Sequence, residues 1–211
     1  MSDVELLNAW REGDKEAGSA LFERHFSSVL RFFRSKTDES VEDLVQDTFL
    51  ACVRGRDRLE DDRNFRGYLF GAARNVLYRH LNEKTDRQSK LDFGVTSMHD
   101  LGPTPSAVVA LRQEEALLAR ALRRIPVELQ VTLELYYFEE LPGPELARAL
   151  DIPEGTVRSR IRRAIQALKT GIEELAGSSE QLRSTIEGLD HWARGIRRVL
   201  SAETADRPSE S

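Results

Sequence analysis

The chain has one cysteine, Cys52, among 211 residues, so it closes no disulfide within itself, and such thiol usage fits a reducing cytosol. Aromatic residues are scarce at 7%, which favours small, helix-rich units. No apolar run reaches the roughly 18 residues of a membrane span. The opening stretch MSDVELLNAWREGDKEA is acidic and amphipathic, unlike a signal peptide, and the chain is expected to be cytoplasmic. Four histidines, His25, His80, His99 and His191, share no metal-ligand spacing with one another or with Cys52. A glycine-rich phosphate loop and a nucleophile elbow are both missing. Neither enzyme chemistry, nor a metal, nor a cofactor is therefore expected. Positive charge is short overall, with a formal net charge of -5 and a pI near 5.5.

What is present is helical period almost throughout, with no convincing alternating strand. Hydrophobic residues at 40% and charged residues at 32% allow modest cores on a soluble protein. Ser2 and Glu5 stand at capping-box spacing ahead of Leu6, Leu7 and Trp10. EAGSALFERHFSSVLRFFRSK, ESVEDLVQDTFLACVRG and RNFRGYLFGAARNVLYRHLNEK read as three further helices, completing a first domain over 1–85. Residues 86–106 mix charges with Gly94, Gly102, Pro103 and Pro105 and show no period, which predicts a flexible linker. A second helical domain spans 107–176, and 177–211 form a C-terminal extension, helical to about 200 and then a polar, disordered tail. The expected fold class is all-α: two small helical domains on a flexible linker, the second with a helix-turn-helix, plus an extension helix.

Basic charge gathers in one place. From Arg148 to Lys169 six cations face two carboxylates, a local net of +4. On a helical wheel Val157, Ile161, Ala164, Ile165, Leu168 and Ile172 form an apolar stripe. Thr156, Ser159, Arg162 and Arg163 lie opposite, with Arg158 and Arg160 on the flanks. Arginines and hydroxyls opposite a packing stripe suit a DNA major groove, where arginine bonds guanine edges. The preceding PELARAL is a short amphipathic helix, and Asp151-Ile152-Pro153 a tight turn. Short helix, turn and longer basic helix make a helix-turn-helix pattern.

Two stretches of the first domain also carry chemistry. In VEDLVQDTFLACVR, Val41, Leu44, Val45, Thr48 and Cys52 make a buried stripe. Asp43, Gln46, Asp47, Leu50 and Arg54 face outward, an acidic rim around an apolar spot that suits a basic partner helix. NFRGYLFGAARNVLYRHL interleaves aromatics with arginines, as single-stranded DNA binding requires. A core helix with polar decoration explains the same pattern, and Phe65, Leu69, Ala72, Ala73 and Val76 are core on either reading.

These residues resemble a known family. ELARALDIPEGTVRSRIRRAIQALK is similar to the promoter-reading C-terminal domain of bacterial sigma-70-family factors of the extracytoplasmic-function (ECF) group. The resemblance spans about residues 3 to 83 and 107 to 175. It implies a transcription initiation factor that binds core RNA polymerase, through its β′ clamp helices and β subunit, and reads promoter DNA. Thr156, Arg158, Ser159, Arg160, Arg162 and Arg163 would read the upstream, or −35, element. Similarity of DLVQDTFL to the family's docking segment puts Asp43, Leu44, Gln46, Asp47, Phe49 and Leu50 against polymerase. Similarity of FRGYLFGAARN to the segment that melts the −10 element assigns Arg63, Asn64, Arg66, Tyr68, Arg74, Asn75, Tyr78 and Arg79 to that strand. The chain departs from the family pattern at Tyr68, Arg79 and Asn82, and in the turn, where Pro142-Gly143-Pro144 and Asp151 replace a serine-led cap and a glycine. An ordinary helix-turn-helix regulator with an N-terminal sensing or dimerisation domain is the alternative. The docking segment separates the two, because a regulator binds duplex DNA without polymerase.

Beyond the family's usual end, Leu182, Ile186, Leu189, Ala193, Ile196 and Leu200 recur at three and four, with Trp192 beside them. This heptad-like seam is too apolar for a lone helix in water. It either caps the second domain as scaffold or acts as a regulatory helix on the first domain or on a partner, an anti-sigma factor being one such partner. The regulatory reading predicts that truncation after Gly177 leaves a folded chain with altered promoter-specific transcription. Output and core affinity equal to the full-length chain would sink that reading, and melting of the truncated chain would make the helix scaffold.

Overall fold

The computed structural model describes residues 1–56, 65–85, 90–109, 111 and 113–175. The candidate extension helix, with Leu182, Ile186, Leu189, Trp192 and Ile196, lies outside them, as do Arg63 and Asn64. Among the described residues there is no strand, only an isolated bridge between Ser97 and Pro126. The all-helical expectation therefore holds.

Helix α1 (Asp3–Arg11) begins with the capping box foreseen at Ser2, whose Oγ accepts from the Glu5 amide while Glu5 accepts from the Ser2 amide. Gly13, at φ 105, turns the chain into α2 (Lys15–Arg34), capped by Asp14. Trp10 of α1 lies flat on Gly18 of α2, where an added Cβ would stand 2.6 Å from its Cδ1. Asp3 joins the same two helices through Arg24 and His25. Burial works to raise its carboxyl, but the bonds from His25 and Arg24 outweigh it and bring it to about 2. Helices α3 (Val41–Gly55) and α4 (Phe65–Lys84) complete the N-terminal half around Leu21, Phe33, Val45, Leu69 and Leu77.

The C-terminal half holds α5 (Met98–Leu101), α6 (Ser106–Val109), α7 (Gln113–Arg124), α8 (Val127–Leu133), α9 (Gly143–Leu150) and α10 (Glu154–Leu175). Helix α8 widens into a π-helical turn at Glu134–Phe138, where the Glu139 amide reaches the Glu134 carbonyl. Leu118, Leu122, Leu129, Leu133, Ala164, Leu168 and Ile172 form a core between α7, α8 and α10.

The halves pack on each other. Val127, Val131, Leu135, Leu146, Ala149, Leu150 and Val157 belong to the same apolar cluster as the N-terminal core. Helix α9 lies along α4 and passes Gly71, with the Arg148 carbonyl 3.6 Å from where its Cβ would be, an ordinary van der Waals distance. A buried polar network joins the same faces. Lys36, fully buried, donates to Glu134, to the Phe32 carbonyl and to Ser35 Oγ, which uses all three of its protons. Burial pushes its ammonium downward and the Glu134 carboxylate opposes the shift. Arg31 reaches Glu139 Oε1 through Nε at 3.0 Å and Nη2 at 2.7 Å.

The segment expected as linker is held down across its described residues. The Leu91 amide donates to Asn82 Oδ1, and Phe93 stacks on Tyr78 with centroids 4.1 Å apart. The Phe93 and Thr96 carbonyls accept from Glu128 and Val127. Arg123, buried, donates to the carbonyls of Lys36, Met98, Gly102 and Pro103. Such point contacts leave no periodic trace, so pattern reading sees only loop.

The Trp10–Gly18 contact generates a test. Gly18→Ala improves helix propensity by about 1 kcal/mol, yet its methyl collides with a buried ring. Overpacking is expected to win, lowering the unfolding free energy by about 1–3 kcal/mol in urea titration.

Candidate nucleic-acid and partner interface

The chemistry-bearing residues fall on three surfaces. The first is the helix-turn-helix formed by α9 and α10. Pro144 sits in the first turn of α9, and Asp151 closes that helix in the left-handed region at φ 55, ψ 51. Aspartate tolerates this conformation better than most residues, so the turn forms without glycine. Val157, Ala164, Leu168 and Ile172 are buried, while Ile161 and Ile165 are partly so. Thr156, Arg158, Ser159, Arg162 and Arg163 are exposed on one face. Ser159 Oγ donates to the Thr156 carbonyl at 2.8 Å, leaving its lone pairs outward. Arg160 is turned back to Glu128 of α8 at 3.4 Å and is half-buried. It stands apart from the other five because its flank faces the protein.

The second surface is on α3. Asp43, Gln46, Asp47 and Leu50 are exposed, Leu50 at 41%, and Val53 extends the apolar spot. Leu44, expected on this face, is instead buried beneath it at 5%, since it falls on the inward stripe with Val41, Val45 and Thr48. Phe49 is half-buried against Phe22, centroids 4.7 Å apart. These two shape the face from below. Asp47 Oδ2 accepts from Arg79 of α4 at 2.6 Å, which joins this surface to the third.

The third surface is the outer side of α4, and it is partly covered. Arg148 of α9 lies over the Tyr68 ring at 5.6 Å. Arg74 has a side chain only 12% exposed and stands 4.0 Å from Asp151. Arg66 donates to the Glu139 carbonyl. Tyr78 stacks on Phe93, and burial pushes its phenol up to about 12. Asn75 and Arg79 remain exposed. What is open of this face borders a cleft of about 820 Å³ between α4 and the α9 turn, lined by Tyr68, Arg74, Asn75, Arg79, Arg148 and Asp151. Arg148 and Glu128 escape sequence reasoning, because each acts on a partner remote in the chain. Among the described residues no cluster of potential ligands would hold a metal ion, and no helix is long and apolar enough to cross a membrane.

Comparison with known proteins matches these surfaces to two family descriptions. Sigma-70 region 2 matches residues 21–87, and Sigma-70, region 4 matches residues 115–168. The ECF RNA polymerase sigma factor SigM of Mycobacterium tuberculosis is 31% identical over 165 residues, covering 77% of this chain and 81% of that protein. RNA polymerase sigma factor NccH of Alcaligenes xylosoxydans xylosoxydans is 30% identical over 169 residues, with coverage of 77% and 90%. Among solved structures, CnrH in complex with the cytosolic domain of CnrY superposes with a TM-score of 0.55 at 25% identity, over 82% of this chain and 99% of that one.

The turn itself is testable. A β-branched residue in the left-handed region costs about 1–2 kcal/mol. Asp151→Val is expected to lose that much stability in urea titration, whereas Asp151→Gly keeps the unmodified value.

Proposed function

The chain belongs to the ECF group of the sigma-70 family, and from that membership we propose how its three surfaces divide the work of directing RNA polymerase to promoters. It is a sigma factor, carrying regions 2 and 4 in one chain. The α3 face of Asp43, Gln46, Asp47 and Leu50 docks on core polymerase, at the β′ clamp helices. Its carboxylates meet basic side chains and Leu50 fills an apolar pocket. Region 4 also touches the β subunit. Thr156, Arg158, Ser159, Arg162 and Arg163 read the upstream element in the major groove, with Arg160 as a supporting residue that steadies α10 on α8. Arg66, Tyr68, Arg74, Asn75, Tyr78 and Arg79, continued by Arg63 and Asn64, hold the melted strand by stacking and phosphate contact.

The observation that carries this reading is the pairing of an exposed acidic–apolar helix in region 2 with an exposed arginine face on the second helix of region 4. The factor supplies no catalysis, since nucleotide addition belongs to the polymerase. Its place of work is the cytoplasm. That CnrH is solved with the cytosolic domain of another protein supports a protein regulator, an anti-sigma factor, for this chain too.

Two outcomes test the division. Arg158→Ala with Arg163→Ala is expected to weaken upstream-element binding, each lost base contact costing about 1–3 kcal/mol. Unchanged transcription from the cognate promoter at normal protein level would refute the recognition-helix assignment. Asp43→Lys with Asp47→Lys is expected to abolish co-purification with core polymerase. Both positions point outward, so circular dichroism should stay native, and undiminished co-purification would remove α3 as the docking helix.

A further inference from the structure

We infer that Glu128 is a positioning residue that holds Arg160 of the recognition helix away from the DNA backbone and so keeps sequence-independent binding low. The inference rests on the assignment of α10 as the helix that reads the upstream element.

Three observations carry it. First, Arg160 borders the reading face without joining it. It lies one turn after Thr156 and one turn before Arg163, both exposed, and residues three and four apart are neighbours on a helix surface. Arg158, Arg162 and Arg163 are exposed. The side chain of Arg160 is only 19% exposed, with Nη1 3.4 Å from Glu128 Oε2. Second, Glu128 does not depend on Arg160 for its place. It sits in the first turn of α8, where the helix dipole favours a carboxylate. Its neighbours Val127 and Leu129 are buried, and its carbonyl accepts from Thr132 Oγ1 at 2.7 Å. The carboxylate is therefore the fixed member of the pair and the long arginine side chain the movable one. Third, α8 and α10 are already joined through Leu129, Leu133, Ala164, Leu168 and Ile172. A partly exposed ion pair adds little to such packing. Its main effect falls on where the Arg160 guanidinium can go.

A cation on the flank of a recognition helix meets phosphate at the edge of the groove, and phosphate contacts carry no sequence information. A freed Arg160 would tighten binding to every duplex alike. The chain would then be held on non-cognate sites, which outnumber promoters by orders of magnitude. Glu128 removes that contact while leaving Thr156, Arg158, Ser159, Arg162 and Arg163 facing outward.

A double-mutant cycle on the full chain tests this, read by fluorescence anisotropy on a labelled 30-base-pair duplex of random sequence. Arg160→Ala should leave the affinity within about twofold of the unmodified chain, since Arg160 is already withheld from phosphate. Glu128→Gln should tighten binding by about fivefold at 50 mM salt, a gain that shrinks about three- to fourfold at 200 mM, as one added phosphate contact requires. Glu128→Ala frees the same arginine and should move affinity the same way. In the Arg160→Ala background Glu128→Gln should have no effect, because the gain belongs to Arg160 and not to the lost negative charge. A gain that survives in that background overturns the inference. So does an unchanged affinity in Glu128→Gln, or a loss in Arg160→Ala as large as in Arg158→Ala. Promoter-directed transcription by Arg158→Ala with Arg163→Ala tests the recognition-helix assignment by itself. Loss of transcription there, with no gain from Glu128→Gln, overturns the role of Glu128 alone.

Discussion

Charge buried between the two halves of the chain fixes most of what is visible on the outside. Arg31 and Lys36 are removed from water at the end of α2, and each needs an anion in reach. The carboxylates that serve them, Glu139 and Glu134, sit on one turn of the other half. Satisfying both at once leaves little freedom in how the halves meet. That register lays α9 along α4 and points the far side of α10 into solvent. The Phe93 and Arg123 contacts then tie the connecting segment into the same joint. The outer faces of α3, α4 and α10 thus differ in how far they are exposed.

Much of this was legible in sequence, and the parts that were not share a cause. Periodicity placed the helices, the stripe of Val157, Ala164, Leu168 and Ile172, and the outward turn of Asp43, Gln46, Asp47 and Leu50, since each is decided within a few residues of chain. Leu44 was readable as inward from its own wheel. Its place on the docking face came from similarity to the family's docking segment, which does not distinguish a contacting side chain from one that supports it. Arg160 looked like a flanking base reader because nothing local reveals Glu128 across the groove. The interface between halves, the staking of residues 90–106 and the role of Arg123 are all set by partners distant in the chain. A charged residue reads as solvated until its remote partner is known, and Lys36 is the sharpest case.

Departures from the family pattern sort along the same line. Asp151 in place of glycine keeps the turn because aspartate accepts the left-handed region, and it adds a carboxylate beside Arg74. Arg79, also a departure, pairs with Asp47 and Glu83, and its bond to Asp47 joins the third surface to the second. Tyr68, another of the departures, offers a ring that Arg148 lies over. Each of these residues takes part in a contact between surfaces.

Electrostatics ties access to partnership. A chain with net charge -5 is repelled by DNA at long range, and its local +4 from Arg148 to Lys169 is too small a patch to offset that by counterion release. The acidic face of α3, by contrast, is exposed at Asp43, Gln46, Asp47 and Leu50, and on the proposed reading it meets a basic partner. The order that follows is docking first, DNA second. In that order the partial covering of the outer α4 face matters little while the chain is free, because on the proposed reading its contacts are of use only once a polymerase has brought melted DNA to them.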